Sequence, residues 1–126
     1  MSIDLDSILE VLDPCDDVEV AWLYGSRARG DAGLESDFDL AVAFSARASD
    51  PWERVDALRA RLQERVSRQV SVIDINRVPT PLAVNVVDQG RVLLCRSDLR
   101  LRAEEARVWS LWEEYRREHE RFRTTS

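Results

Sequence analysis

The sequence predicts a small α/β or α+β domain, in which one mixed sheet has helices packed against one face. Short β-branched runs alternate along the chain with longer segments whose apolar residues recur at helical spacing. Such alternation is typical of a single sheet covered by helices. The length of 126 residues suits one domain rather than two.

The first half of the chain is predicted to hold one helix and two strands. Residues 4–13 carry leucine and isoleucine at helical spacing, and Pro14 ends the pattern. Residues 18–24 are β-branched and aromatic and run into a glycine, which indicates a strand. Residues 38–44 are nearly all apolar, which favours a second, central strand. The glycine- and charge-rich stretch 25–33 between the strands is expected to form a loop or a short helical turn.

The second half is predicted to alternate helix and strand up to a long final helix. Asp50 or Ser49 is expected to cap the first of these helices, with Pro51 at its first position. Gly90 is expected to close the second. The predicted segments are a helix over 51–67, a strand over 70–75, a short helix over 80–89, a strand over 92–94 and a helix from 97 or 98 towards 123.

Charge and basic composition exclude several function classes. The net charge of −6 disfavours strong nonspecific binding to nucleic acids. All 18 basic residues are arginines, so mechanisms that need a lysine, such as the P-loop phosphate clamp or a Schiff base, are excluded. Any cationic contact with a phosphate must come from arginine, whose planar fork can grip it.

The cysteines, the histidine and the apolar pattern exclude further classes of function. Cys15 and Cys95 are isolated in the sequence, which predicts reduced, structural thiols rather than a zinc site or a disulfide framework. His119 is the only histidine and is expected to be exposed near the end of the last helix, which disfavours a hydrolase triad. The chain has no apolar run of membrane-spanning length and an acidic start, so we expect a cytoplasmic protein without a membrane partner.

The segment Gly25-Ser26-Arg27-Ala28-Arg29-Gly30 has the features of a phosphate-binding turn. A glycine directly after a strand allows a sharp turn and a close approach of ligand. Ser26 follows where a short helix can begin, and successive N–H groups at such a point bind anions. Arg27 and Arg29 add positive charge to the same corner.

Asp37 and Asp39 are predicted to form a carboxylate pair. They lie two residues apart at the start of a strand, so their side chains leave on the same face, while Phe38 points to the other face. Two adjacent carboxylates repel unless a cation lies between them. Mg²⁺ suits this position because it prefers a few carboxylates together with phosphate oxygens.

Asp74 is a candidate third carboxylate. It lies in an otherwise apolar strand, where a charge is costly unless it is paired or bound to a metal. If the third strand neighbours the second, Asp74 could join Asp37 and Asp39 in a site for two-metal phosphoryl transfer. The alternative is a structural ion pair with an arginine such as Arg77.

Gly25-Ser26, ten intervening residues and then Asp37-x-Asp39 resemble the signature of the nucleotidyltransferase superfamily that includes DNA polymerase beta and the kanamycin nucleotidyltransferases. With Ser36-Asp37-Phe38-Asp39-Leu40, the short chain most resembles the minimal nucleotidyltransferases, the MntA-type antitoxins paired with HEPN-domain toxins. The resemblance implies a polymerase beta-like nucleotidyltransferase fold. It also implies transfer of AMP from ATP, with Mg²⁺, to a tyrosine hydroxyl of a partner HEPN toxin.

The resemblance also implies roles for individual residues. Asp37 and Asp39 would be Mg²⁺ ligands, and Asp74 would be a ligand or the general base for the acceptor hydroxyl. Gly25 and Ser26 would hold the β- and γ-phosphates. The basic positions of the motif are matched by Arg27 and Arg29.

The sequence leaves three alternatives to this function open. The chain could be an antitoxin that blocks its partner by binding alone, a nucleotidyltransferase acting on a small molecule such as an aminoglycoside, or a relic that binds nucleotide without transferring it. The predicted nucleotidyltransferase domain spans residues 1–96. Residues 97–126 form a final helix of the same domain, whose broad aromatic face either packs on the sheet or contacts a partner.

Overall fold

The structure, a computed structural model, describes residues 3–30, 37–46, 48 and 50–124. Helices and strands alternate along this part of the chain nearly as the sequence predicts, and β1 and β2 have the predicted bounds. The elements are α1 (Ile3–Leu12), β1 (Val18–Tyr24), α2 (Ser26–Arg29), β2 (Phe38–Phe44), α3 (Pro51–Arg65), β3 (Val70–Asp74), α4 (Thr80–Gln89), β4 (Arg91–Cys95) and α5 (Asp98–Thr124).

The four strands form one mixed sheet in the order β3-β2-β1-β4. β1 is antiparallel to both of its neighbours, whereas β2 and β3 are parallel. β1 therefore ends at the edge of the sheet where β2 and β3 begin, which we call the Gly25 edge. The opposite edge, where β2 and β3 end, we call the Phe44 edge.

Helices cover both faces of the sheet, so the prediction of helices on one face is wrong. α1 and α3 pack on one face, where Leu12 and Leu58 join Leu40 in a buried cluster. α4 and α5 cover the other face, where Val86 packs in a cluster with Trp22. The physical reason is that β1 and β2 are apolar on both faces, and each face needs its own cover.

Local signals in the sequence explain where the helices begin. The Asp50 carboxylate accepts a hydrogen bond of 3.0 Å from the Trp52 amide at the start of α3, as a cap at this position should. The Ser97 hydroxyl accepts one of 3.1 Å from the Arg100 amide at the start of α5. Gly90 ends α4 in an extended conformation, with φ −74°, rather than in the left-handed conformation typical of such a glycine.

α5 has its buried residues within its first eleven positions. Val108 is fully buried against the sheet, but the described side chains after it, up to residue 120, are half-buried or exposed. On this distal segment Trp112 stacks on Tyr115, and Tyr115 stacks on His119. His119 is exposed, as predicted. The predicted contact of this face with a partner stays a prediction.

Both cysteines are free thiols, as the sequence predicts. Cys15 is buried, and its Sγ donates to the Val11 carbonyl at 3.3 Å, whereas Cys95 is exposed. Among the described residues, no helix combines the length and the apolar content that crossing a membrane requires.

Candidate active site

Gly25 forms the turn at which β1 leaves the sheet. Its backbone has φ 75° and ψ −157°, a combination that residues with a side chain rarely adopt. A Cβ atom at this position would lie 2.5 Å from Oδ2 of Asp39, so the glycine also makes room for that carboxylate. Ser26, the first residue of α2, follows directly at the Gly25 edge.

Asp37 and Asp39 come together at the start of β2, as predicted. Asp39 is half-buried and Asp37 is exposed. Burial raises the pKa of Asp39, the negative charge of Asp37 raises it further, and Arg29 opposes both effects. The two carboxylates therefore repel each other, and a divalent cation bound between them would relieve this repulsion.

The two arginines of the turn have different surroundings. Arg29 is exposed, and its positive charge lowers the pKa of Asp39. Its guanidinium therefore lies near the carboxylate pair. The Arg27 guanidinium lies 3.9 Å from the centre of the Phe38 ring, and Phe38 belongs to the core beneath α1 and α3. Arg27 thus contacts an aromatic ring, and its predicted role in holding phosphate stays a prediction.

Asp74 does not join the pair, which corrects the prediction of a three-carboxylate site. β3 does neighbour β2, but Asp74 pairs with Val42 near the Phe44 edge, four residues along the strand from the partner of Phe38. Side chains alternate along a strand, so Asp74 shares the face of Val70 and Val72, under α1 and α3. Asp39 instead shares the face of Ala41, under α4 and α5.

An ion pair with Arg77, the alternative role of Asp74, accounts for the burial of this carboxylate. Its carboxylate is 6% exposed and lies 3.4 Å from Nε of Arg77. It also accepts a hydrogen bond of 2.9 Å from the Asn76 amide. Asp74 thus holds the turn that follows β3, and it has no contact with the carboxylate pair.

Ser71 and Tyr24 are neighbours of Asp39 that the sequence reasoning missed. Asp39 pairs in register with Tyr24 on β1 and with Ser71 on β3. A signal for Ser71 was present in Val70-Ser71-Val72-Ile73-Asp74, because alternation already places the serine and the aspartate on opposite faces. Which of the two faces carries Asp39 depends on register, which the sequence does not reveal.

The carboxylate pair fits Mg²⁺ as a cation shared with a substrate. In the described part of the chain, no three histidine, cysteine or acidic side chains cluster as a metal site. Mg²⁺ is commonly bound through one or two carboxylates, with water and substrate phosphates completing its octahedral shell. Asp37 and Asp39 supply these carboxylates at an accessible position, beside a turn suited to phosphate.

A carboxylate pair beside a strand-ending glycine turn, on a small mixed sheet, suits the class of proteins that transfer phosphoryl groups with the help of a bound cation. Residues 6–99 match the sequence profile of the family described as "Polymerase beta, Nucleotidyltransferase". The chain belongs to this family, which confirms the resemblance and the fold predicted from the sequence. No curated protein matches the chain.

Several solved structures are similar to the chain over almost its whole length. A toxin-antitoxin structure with AMP-PNP is 24% identical, with 94% of each chain covered and a TM-score of 0.73. The toxin-antitoxin MntA-HepT is 20% identical, with 97% of this chain and 95% of that chain covered and a TM-score of 0.74. A structure of a tri-AMPylated HEPN toxin of Shewanella oneidensis in complex with an MNT antitoxin has a chain that is 22% identical, with 94% of this chain and 92% of that chain covered and a TM-score of 0.67. At these identities the likeness establishes a shared fold.

Proposed function

We propose that the chain is a Mg²⁺-dependent nucleotidyltransferase that transfers AMP from ATP to a hydroxyl of a partner protein, and that the partner is a HEPN-domain toxin silenced by the transfer. The observation that carries this proposal is the carboxylate pair of Asp37 and Asp39, in which Asp39 lies against Gly25. Family membership supports nucleotide transfer. The similar structures support the partner class, because one holds AMP-PNP and another an AMPylated HEPN toxin.

The proposed reaction is an in-line displacement at phosphorus. The acceptor hydroxyl oxygen forms a bond to the α-phosphorus of ATP, the bond from that phosphorus to the bridging oxygen breaks, and pyrophosphate leaves. The hydroxyl proton passes to a base or to solvent. Mg²⁺, when bound, would neutralise charge on the phosphates and favour attack at the α-phosphorus.

The chain's own residues bind and orient the reactants in this scheme. Asp37 and Asp39 hold the cation, Gly25 and Ser26 lie against the phosphates, and Arg29 adds positive charge beside them. Asp74 is excluded as the general base because it lies on the opposite face of the sheet near the Phe44 edge. The site would work in the cytoplasm, where ATP and Mg²⁺ are both available.

The test is intact-mass analysis of the protein encoded beside this one, after incubation with the chain, ATP and Mg²⁺. We expect a gain of one or more AMP units. Asp39→Asn should lower the transfer rate by about 10²-fold or more, because losing a cation ligand removes several kcal/mol of transition-state stabilisation. Asp74→Asn is the matched control and should transfer at the wild-type rate.

The other outcomes separate the rival functions. A stable complex on gel filtration without a gain in mass would favour an antitoxin that acts by binding alone. Neither complex nor gain in mass would direct the search to small-molecule acceptors. Wild-type transfer by Asp39→Asn would overturn the role assigned to the carboxylate pair.

A further inference from the structure

Three neighbouring strands meet the Gly25 edge in the order β2, β1, β4. β2 begins there beside the carboxylate pair, β1 ends there before Gly25, and β4 begins there with Arg91. Arg91 pairs in register with Leu23, two residues before Gly25. One strand spacing and two residues separate Arg91 from Gly25, which is about 8 Å between Cα atoms in a regular sheet. An extended arginine side chain can cover that distance.

The Arg91 guanidinium has no protein partner in the part of the chain that the structure describes. Its side chain is exposed. Arg96, just past the other end of β4, instead donates to the carbonyls of Val18 at 3.0 Å and Leu12 at 3.1 Å. Arginine carries five N–H donors in a planar fork, so among the described residues those of Arg91 are left for a ligand.

Gly90 fixes the point at which Arg91 enters the sheet. The Gly90 amide donates to the Val86 carbonyl at 2.8 Å, at the end of α4. A Cβ atom at this glycine would collide with that carbonyl oxygen and would lie 3.2 Å from the Leu23 carbonyl oxygen. The backbone before Arg91 is thus packed between α4 and β1, which gives an exposed side chain a fixed base.

The Gly25 edge lies between Arg91 and the carboxylate pair. Residues in register on antiparallel strands project from the same face, so Arg91 shares the face of Leu23, under α1 and α3. Asp39 projects from the other face, under α4 and α5. A phosphate chain that begins at the carboxylate pair on β2 and follows the edge past Gly25 on β1 therefore reaches Arg91 on β4.

We propose that Arg91 binds the terminal phosphates of the nucleotide and the pyrophosphate released from it. The inference rests on the proposed function, since it adds a residue to the nucleotide site of that function. A guanidinium can grip a phosphate through two parallel hydrogen bonds. When the bond from the α-phosphorus to the bridging oxygen breaks, negative charge grows on the leaving pyrophosphate, and the charge of Arg91 stabilises it.

The test compares Arg91→Ala with Arg102→Ala. Arg102 is an exposed residue of α5, also without a partner among the described residues, two positions from the Arg100 that binds the Phe44 carbonyl. Calorimetry on the full chain, with Mn²⁺ present, measures the affinities for a non-hydrolysable ATP analogue and for AMP. Arg91→Ala should bind the analogue roughly 10- to 100-fold more weakly, as expected for a lost hydrogen bond between charged groups. It should bind AMP as the wild type does, and Arg102→Ala should bind both normally.

Two further measurements examine the nature of the contact. Arg91→Lys keeps the charge but loses the planar fork, so it should recover only part of the affinity for the analogue. Inorganic pyrophosphate should compete with the analogue on the wild type and roughly tenfold more weakly on Arg91→Ala. Equal thermal midpoints of the wild type and both alanine variants without nucleotide would show that the folded state is intact.

The contrary results separate this inference from the proposed function. Wild-type affinity of Arg91→Ala for the analogue would overturn the inference, and so would an equal loss of affinity for the analogue and for AMP. Normal nucleotide binding with weaker binding of the acceptor protein would assign Arg91 to a protein contact instead. If the wild type itself fails to bind the analogue, the proposed nucleotide site fails and Arg91 loses its role with it.

Discussion

Gly25 and Gly30 flank the short helix α2, and both have a positive φ, of 75° and 81° respectively. They differ in what surrounds them. A Cβ atom at Gly25 would collide with the Asp39 carboxylate, whereas one at Gly30 would meet no atom within 4 Å. A substitution at Gly30 therefore has only the energetic cost of a strained backbone. A substitution at Gly25 has that cost and also displaces Asp39, a candidate metal ligand.

We predict that Gly30→Ala lowers the free energy of unfolding by about 1–2 kcal/mol and leaves Mn²⁺ affinity unchanged. Gly25→Ala should be at least as destabilising and should also weaken Mn²⁺ binding by roughly tenfold or more, since Asp39 must move. Urea unfolding and calorimetry measure the two effects. Equal Mn²⁺ affinity in both variants would show that Asp39 does not depend on the space above Gly25.

Asp39 and Asp74 differ in how their charges are compensated, which predicts opposite responses to the same substitution. Asp74→Asn weakens a buried ion pair and hydrogen bond, so we expect a loss of about 1–3 kcal/mol in the free energy of unfolding. Burial and the charge of Asp37 both raise the pKa of Asp39, so the negative charge of Asp39 does not stabilise the fold. Asp39→Asn should therefore keep the free energy of unfolding of the wild type. Urea unfolding of both variants checks this prediction, and a destabilised Asp39→Asn would contradict it.

The candidate site was only partly predictable from the sequence, because some of its features are local in the sequence and others depend on contacts between separate elements. The pairing of Asp37 with Asp39 follows from alternation within one strand, and the glycine turn follows from its position after β1. The place of Asp74 depends on the register between β2 and β3, which many separated contacts determine. The stacking of Arg27 on Phe38 likewise joins two elements and has no local signal.

At the scale of elements, α5 is anchored by a polar cluster at the Phe44 edge, centred on the buried Glu104. The Glu104 carboxylate accepts hydrogen bonds from Asn76 at 2.9 and 3.1 Å, from Arg100 at 3.0 Å and from Arg107 at 2.9 Å. Arg100 also donates to the Phe44 carbonyl at 2.9 Å. The cluster therefore ties α5 to the ends of β2 and β3.

We predict that Glu104→Ala lowers the free energy of unfolding by about 3 kcal/mol, because it leaves the two arginines and Asn76 without their shared acceptor. The matched control is Glu113→Ala. Glu113 pairs with Arg116 on the exposed part of the same helix, and its loss should change stability by no more than about 0.5 kcal/mol. Urea unfolding compares the two, and equal losses would remove the anchoring role of Glu104.

Glu104 also predicts how stability changes in acid. Burial alone would raise its pKa, but the hydrogen bonds from Asn76 and Arg107, the charge of Arg107 and the hydrogen bond from Arg100 leave it below the ordinary value of 4.5. The folded chain thus binds this proton more weakly than the unfolded chain does. The resulting stabilisation is present above about pH 4.5 and is lost as the pH falls towards the folded pKa.

The pH prediction is tested with Glu104→Gln. The difference in the free energy of unfolding between the wild type and this variant should be largest near pH 7 and should shrink as the pH falls below about 4.5. Urea unfolding over that pH range measures the difference. A difference that stays constant with pH would mean that the charge of Glu104 adds nothing to the anchor.

The fold itself was predictable at the scale of single elements but not in the arrangement of its layers. The bounds of β1 and β2 follow from mostly apolar runs that lie between Asp17 and Gly25 and between Asp37 and Ser45. The same runs are apolar on both faces, which already indicated two covering layers. The sequence-based expectation of one layer underused this signal, and α4 with α5 supplies the second cover over Trp22.

At the scale of the whole molecule, the candidate active site and the anchor of α5 lie at opposite edges of the sheet. Strand β2 connects the two edges through the seven residues Phe38–Phe44, a span of roughly 20 Å. Substitutions that far apart, without shared partners, usually have additive effects. Changes at the Phe44 edge should therefore lower stability without altering the binding of a nucleotide and its cation.

Stabilisation by ligand tests this separation in one measurement. A ligand that binds only the folded chain stabilises it by about 2.7 kcal/mol at 100 times its dissociation constant, which for a domain of this size raises the thermal midpoint by roughly 10 °C. With Mg²⁺ and a non-hydrolysable ATP analogue, we expect this rise in the wild type and also in Glu104→Gln, from a lower starting midpoint. Asp39→Asn should start from the wild-type midpoint and show little rise. If Glu104→Gln loses the rise as well, the two edges of the sheet are coupled and the site depends on how α5 is anchored.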